Sequence, residues 1–143
     1  MIKGIYGINI AVKDLDAAVS RYEAFFGIKA QSFGSEFFAF PGLVGAQFNI
    51  NGFHLNLIAS LAEGTSVAQF LERRGEGVFL LSVEVDDIEN DVARMRDIGS
   101  LFFLEDNASG PFGQVNFVHP KSMNGVQVEV YQPSAAVRAL EEA

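Results

Sequence analysis

Hydrophobic positions alternate with polar or small ones along several short stretches of the chain. Ile8, Ile10 and Val12 alternate with Gly7, Asn9 and Ala11, which predicts a strand over Gly4–Val12. The period then changes. Leu15, Ala18, Val19, Tyr22 and Phe26 recur at helical spacing, with Asp14 placed to cap the helix and Gly27 to stop it. One broken strand is expected within Lys29–Phe40 and another strand at Val44–Ile50. Asn51-Gly52 is a strong hairpin signal, because a two-residue type I′ turn needs a left-handed backbone at both positions. It leads into a strand at Phe53–Ala59. After a short helix at Ser66–Arg73 the order starts again. Strand Val78–Val85 is followed by helix Ile88–Ile98, which Gly99 stops. Strands Leu101–Glu105 and Gln114–His119, a second hairpin signal at Asn124-Gly125 and strand Val126–Tyr131 complete the series, and the last ten residues read as a short helical tail.

The residues themselves repeat. Ile8–Leu15 resembles Leu81–Ile88, and Asn51–Ile58 resembles Asn124–Tyr131, both displaced by 73 positions (8 to 81, 51 to 124). Two separate matches at one displacement indicate two copies of a module. The expected organisation is a single domain over 1–143, with modules 4–60 and 77–133 joined by a short helix. The fold class is α+β: two paired βαβββ modules forming a cupped eight-stranded sheet. If helices cover only the apolar face, the opposite sets of side chains line a concave surface: Asn9; His54 and Asn56; Leu80, Ser82 and Glu84; Gln127, Glu129 and Tyr131.

Composition narrows the function. The 143 residues are 49% hydrophobic and contain no apolar run long enough to span a membrane, so a folded domain is expected. The net charge of −8 disfavours nucleic acid as a partner. There is no Cys, which removes thiolate chemistry and disulfides, and with only His54 and His119 a three-His site within one chain is excluded. The first sixteen residues do not read as a signal peptide, so a cytoplasmic location is expected.

Several motifs together resemble the vicinal oxygen chelate superfamily, which includes glyoxalase I, bleomycin-resistance proteins and extradiol dioxygenases. They are Ile10–Asp16, Phe70–Gly77, Glu84–Ile88, Phe117–Ser122 and Asn124–Glu129, and their closest likeness is to methylmalonyl-CoA epimerases. The resemblance implies a glyoxalase-like fold, a homodimer and four metal ligands, two per module. At those positions this chain has Gly7, Asn56, Leu80 and Glu129. Gly and Leu donate nothing through their side chains, so no metal and no other cofactor is expected. A second acid/base carboxylate of the epimerases aligns with Phe40, which cannot move a proton. On those grounds retained methylmalonyl-CoA epimerase activity is not expected.

Glu129 is the sharpest catalytic candidate, since a carboxylate on a Phe-rich face gains basicity. His54 is the second. Asn9, Asn56, Leu80, Ser82, Tyr131 and Phe40 are expected to bind ligand. His119 reads as part of a turn, Arg73-Arg74 as a solvated loop, and Gly110–Gly113 as a mobile loop over the pocket mouth. Two functions stay open. One is metal-independent acid–base chemistry, of isomerase or lyase type, on an apolar or aromatic carbonyl compound. The other is non-catalytic sequestration of a small molecule, as in bleomycin-resistance proteins. The expected partner is a small molecule in either case, with neither nucleic acid nor membrane.

Overall fold

The computed structural model describes Met1–Glu142. Among the described residues there are eight strands and four α-helices, in the α+β class expected. The chain forms two compact units, one of Gly7–Phe79 and one of Met1–Tyr6 with the chain from Leu80 onward. Strand β1 (Ile2–Ala11) contributes its second half to the first and its opening residues to the other.

The Gly7–Phe79 unit has the strand order β2-β3-β4-β1, where β2 is Gln31–Phe33, β3 Leu43–Ile50 and β4 Phe53–Ser60. β1 and β4 run parallel, Ile8 opposite Leu55 and Ile10 opposite Leu57. Helix α1 (Leu15–Phe26) covers that face. Its amide at Ala17 donates to Asp14, and Gly27 ends it with φ 71°, both as the sequence predicts. Val12, Ala18, Phe48, Leu55 and Leu57 form the core beneath it. Asn51 (φ 52°) and Gly52 (φ 94°) make the left-handed turn between β3 and β4.

Helices do not stay on one face, contrary to expectation. Helix α2 (Ser66–Arg74) packs on the opposite side of the same strands. There Val67 lies in a core with Ala11, Leu43 and Ile58, joined by Phe38, Phe70, Leu71 and Phe79. The face that carries Asn9 and Asn56 is therefore walled with apolar side chains at one end.

The second unit has the order β1-β5-β8-β7-β6. β5 is Gly77–Val85, of which the part from Leu80 belongs here, β6 Ala108–Gly110, β7 Gly113–Val118 and β8 Val128–Pro133. Helix α3 (Ile88–Asp97) buries Ile88 and Val92 against Val83, Val85, Val118, Val128 and Val130. On the other face lies α4 (Ala135–Glu142). Its Arg138 pairs with Glu84 at 3.0 Å, and the Tyr6 hydroxyl donates to Glu141. Tyr6 meets Tyr131 edge-on, ring centroids 4.9 Å apart. Two helices thus occupy the second face in their respective units, because its far end is apolar or charge-paired rather than solvated.

Three further expectations are corrected. The broken strand of Lys29–Phe40 is only Gln31–Phe33, followed by a 3-10 turn at Ser35–Phe37. Leu101–Glu105 is not a strand; it makes one isolated bridge, Phe102 to Val118, and the edge strand is Ala108–Gly110. Gly110–Gly113 is the turn between β6 and β7 rather than a mobile loop. Phe112 is buried there, and its carbonyl accepts from the Tyr131 hydroxyl at 2.8 Å and from the Ser134 amide. No described helix is long and apolar enough to cross a membrane.

Candidate functional site

The residues singled out from sequence fall into two groups, one in each unit. In the unit from Leu80 onward, parallel pairing sets Ser82 opposite Glu129. The Ser82 hydroxyl donates to Glu129 Oε1 at 2.7 Å. Across β8, antiparallel pairing sets Glu129 opposite Phe117. Leu80 (2% exposed), Phe117 (8%) and Tyr131 (8%) are apolar or aromatic neighbours on this face. Among the described residues no cation is paired with Glu129, and burial pushes its carboxyl up to about 7, with the Ser82 hydrogen bond pulling the other way. Such a group takes and returns protons near neutrality. Burial likewise raises the Tyr131 phenol, whose hydroxyl is committed to the Phe112 carbonyl. Tyr131 therefore shapes the wall, and its proton stays in place. Glu84, also on β5, is neutralised by Arg138.

In the Gly7–Phe79 unit, Asn9 stands opposite Asn56 and Gly7 opposite His54. The Asn56 amide donates to Asn9 Oδ1 at 2.9 Å, while Asn56 Oδ1 is buried with no partner. His54 and Asn9 are both buried. The pairing extends to two residues that the sequence reading passed over: Gln47 on β3 faces Asn56, and Gln31 on β2 faces Gln47. The signal was present. Strand Val44–Ile50 alternates, and pairing with β4 puts its Gln47 on the same side as Asn56. Phe40 lies outside the strands, three residues before β3, and is 40% exposed. His119 caps the 3-10 turn Pro120–Ser122, its Nδ1 accepting from the Lys121 amide, which is the structural role expected.

The divalent ion implied by the resemblance does not fit these residues. A side chain at position 7 has nowhere to go, since a Cβ there would sit 1.7 Å from the carbonyl oxygen of His54. The remaining position in that unit is Asn56, whose neutral amide oxygen is a weak ligand and brings no charge to offset a divalent ion. In the other unit Leu80 supplies no donor atom, leaving one carboxylate. Among the described residues, no three His, Cys, Asp or Glu gather as a metal would need.

Residues 7–117 match the sequence profile of the Glyoxalase/Bleomycin resistance protein/Dioxygenase superfamily. An ethylmalonyl-CoA/methylmalonyl-CoA epimerase of Cereibacter sphaeroides is 30% identical over 135 residues, 92% of this chain and 99% of that protein. The mitochondrial methylmalonyl-CoA epimerase of Homo sapiens is 29% identical over 87% of this chain and 71% of its own length. The crystal structure of methylmalonyl-CoA epimerase from Mycobacterium tuberculosis superposes with a TM-score of 0.83 at 30% identity, covering 96% of this chain and 93% of that one. A Streptomyces coelicolor methylmalonyl-CoA epimerase in complex with 2-nitronate-propionyl-CoA gives 0.85 at 29% identity, covering 94% and 100%.

These relatives overturn the expectation that epimerase activity is lost. Chains that match along nearly their whole length, in sequence and in fold, are epimerases. That expectation rests on ligand positions that do not suit a metal and on Phe40 as the replacement for an acid, and neither outweighs full-length likeness to epimerases. Phe40 stands in an irregular, partly exposed segment, so its chemistry does not report on what the strands present.

Proposed function

Because the chain belongs to the Glyoxalase/Bleomycin resistance protein/Dioxygenase superfamily, we propose that it inverts the configuration of a carbon next to the carbonyl of a CoA thioester, with Glu129 as the base. The carboxylate takes the α-proton, and the electron pair passes onto the thioester carbonyl as an enolate. Solvent water returns a proton to the opposite face to give the other epimer, and the proton held by Glu129 passes to solvent, which restores the base. The observation that carries this reading is the state of Glu129: half-buried, held by Ser82 through one oxygen, without a cation, and titrating near 7. A carboxylate raised toward neutrality is a stronger base for an α-carbon than an ordinary one, and one neutralised by an ion pair is committed elsewhere. The epimerase relatives support the substrate class. No step is routed through a metal, because the donor set does not fit one.

The test is α-hydrogen exchange of methylmalonyl-CoA in deuterium oxide. The wild-type protein exchanges, and Glu129→Gln keeps thioester affinity while exchange falls by at least about 100-fold, the usual contribution of a general base. Exchange that is absent in the wild type, or unchanged in the variant, overturns the proposal.

A further inference from the structure

Four carboxamides stand in one row across the Gly7–Phe79 unit: Gln31 on β2, Gln47 on β3, Asn56 on β4 and Asn9 on β1, each the register partner of the next. Cross-strand partners project to the same side of a sheet. Exposure falls along the row, from exposed Gln31 through half-buried Gln47 and Asn56 to buried Asn9. The row contains no charged side chain. Its inner end holds an unmet need, since Asn56 Oδ1 is buried without a donor. An unsatisfied buried acceptor is destabilising, and a ligand donor removes that cost.

We propose that this row binds the two secondary amides of a pantetheine arm. The proposal rests on the reading of the ligand as a CoA thioester. The acyl end of such a molecule offers acceptors only, a thioester carbonyl and, in methylmalonyl-CoA, a carboxylate. The donors next to it are the amide N–H groups of the arm. Those two amides are separated by two methylene groups, which sets their nitrogens about 5 Å apart when extended. Neighbouring strands are about 4.8 Å apart, so consecutive carboxamides of the row repeat at the spacing of the arm. Each carboxamide offers both a donor and an acceptor, the complement of a secondary amide. One step along the strands on the same face, Phe33 follows Gln31 on β2, and Phe70 of α2 packs with Ile58 and Ala11, which follow Asn56 and Asn9; these apolar groups suit the methylenes between the amides.

The experiment compares two short thioesters, S-propionylpantetheine with two amides and S-propionyl-N-acetylcysteamine with one, by calorimetric titration. The wild-type protein binds the two-amide ligand at least tenfold more tightly. Gln47→Leu, which keeps the bulk of a strand residue, reduces that advantage to less than threefold. Gln31→Ala, at the exposed edge where folding is not at stake, reduces it partially. Equal affinity of the wild type for the two ligands overturns the row and leaves the CoA reading standing, as does an advantage unaltered in both variants. Binding of neither ligand, with CoA thioesters also failing to bind, overturns both.

Discussion

Ser82 and Glu129 face each other in register across two parallel strands, the hydroxyl 2.7 Å from a carboxylate oxygen. Asn9 and Asn56 hold the matching places in the other repeat, amide to amide at 2.9 Å. Both pairs are separated by 47 residues. One repeat thus carries a neutral pair and the other an ionisable one. A donor to the ionised form lowers a carboxyl's pKa, so removing the hydroxyl works in the opposite sense. In Ser82→Ala the midpoint of the pH–rate profile for α-hydrogen exchange moves above the wild-type value. An unmoved or lowered midpoint contradicts the assigned bond.

The wild-type profile follows from the same group. The base acts when unprotonated, so the exchange rate rises with pH and levels off above a midpoint near 7. A plateau already reached at pH 5 would mean that Glu129 is not the group that titrates.

Stability has the opposite slope. The folded-state pKa of Glu129 lies near 7, above its ordinary 4.5. A raised pKa contributes stability that is full below about 4.5 and lost as pH rises through about 7. Glu129→Gln removes the buried charge and keeps an acceptor for Ser82. In urea denaturation the variant exceeds the wild type by roughly 2–3 kcal/mol at pH 8, a shift of about 2.5 units being worth ~3.4 kcal/mol at most. The two converge toward pH 5.

Gly7→Ala is severely destabilising. Its Cβ meets the backbone carbonyl of His54 at 1.7 Å, and backbone in a paired strand does not yield. The cost is on the order of 4 kcal/mol or more, read as the loss of a soluble fold or a large fall in the denaturation midpoint. Gly77→Ala is the control, with open space around its Cβ. It changes stability by less than about 1 kcal/mol.

Protein purified without added metal contains well under one equivalent of zinc, cobalt, manganese, nickel or iron by elemental analysis. One stoichiometric divalent ion, released by Glu129→Ala, would sink the account of the ligand positions.

What could be read in the sequence was whatever a local pattern encodes. Asp14, Gly27 and Asn51-Gly52 each do in the structure what their chemistry predicts, because a cap or a turn depends on a few adjacent residues. The failures lie where distant groups decide. Leu101–Glu105 has the apolar content of a strand, yet Arg96 takes the carbonyls of Leu104 and Glu105, and the Asn116 side chain takes the Leu104 amide. Side chains 8 to 12 residues away satisfy the backbone that a neighbouring strand would have paired. The Gly-Pro-Phe-Gly turn looked loose because nothing local shows that Tyr131 and Ser134 fasten it. Within the candidate site, Glu129 and its neighbour Ser82 were visible as alternating positions, whereas Gln47 and Gln31 became legible only once the register of β2 and β3 was known.

The glycine at position 7 also limits what can be built into this strand. With the backbone of β1 this close to that of β4, no side chain fits at that place unless a separate change first moves a strand. A single substitution placing a metal-ligating side chain there would break the strand pairing before it could hold an ion. For redesign, position 7 is locked: one substitution cannot add a donor atom there, so a new binding function has to be built from side chains that the strands already present.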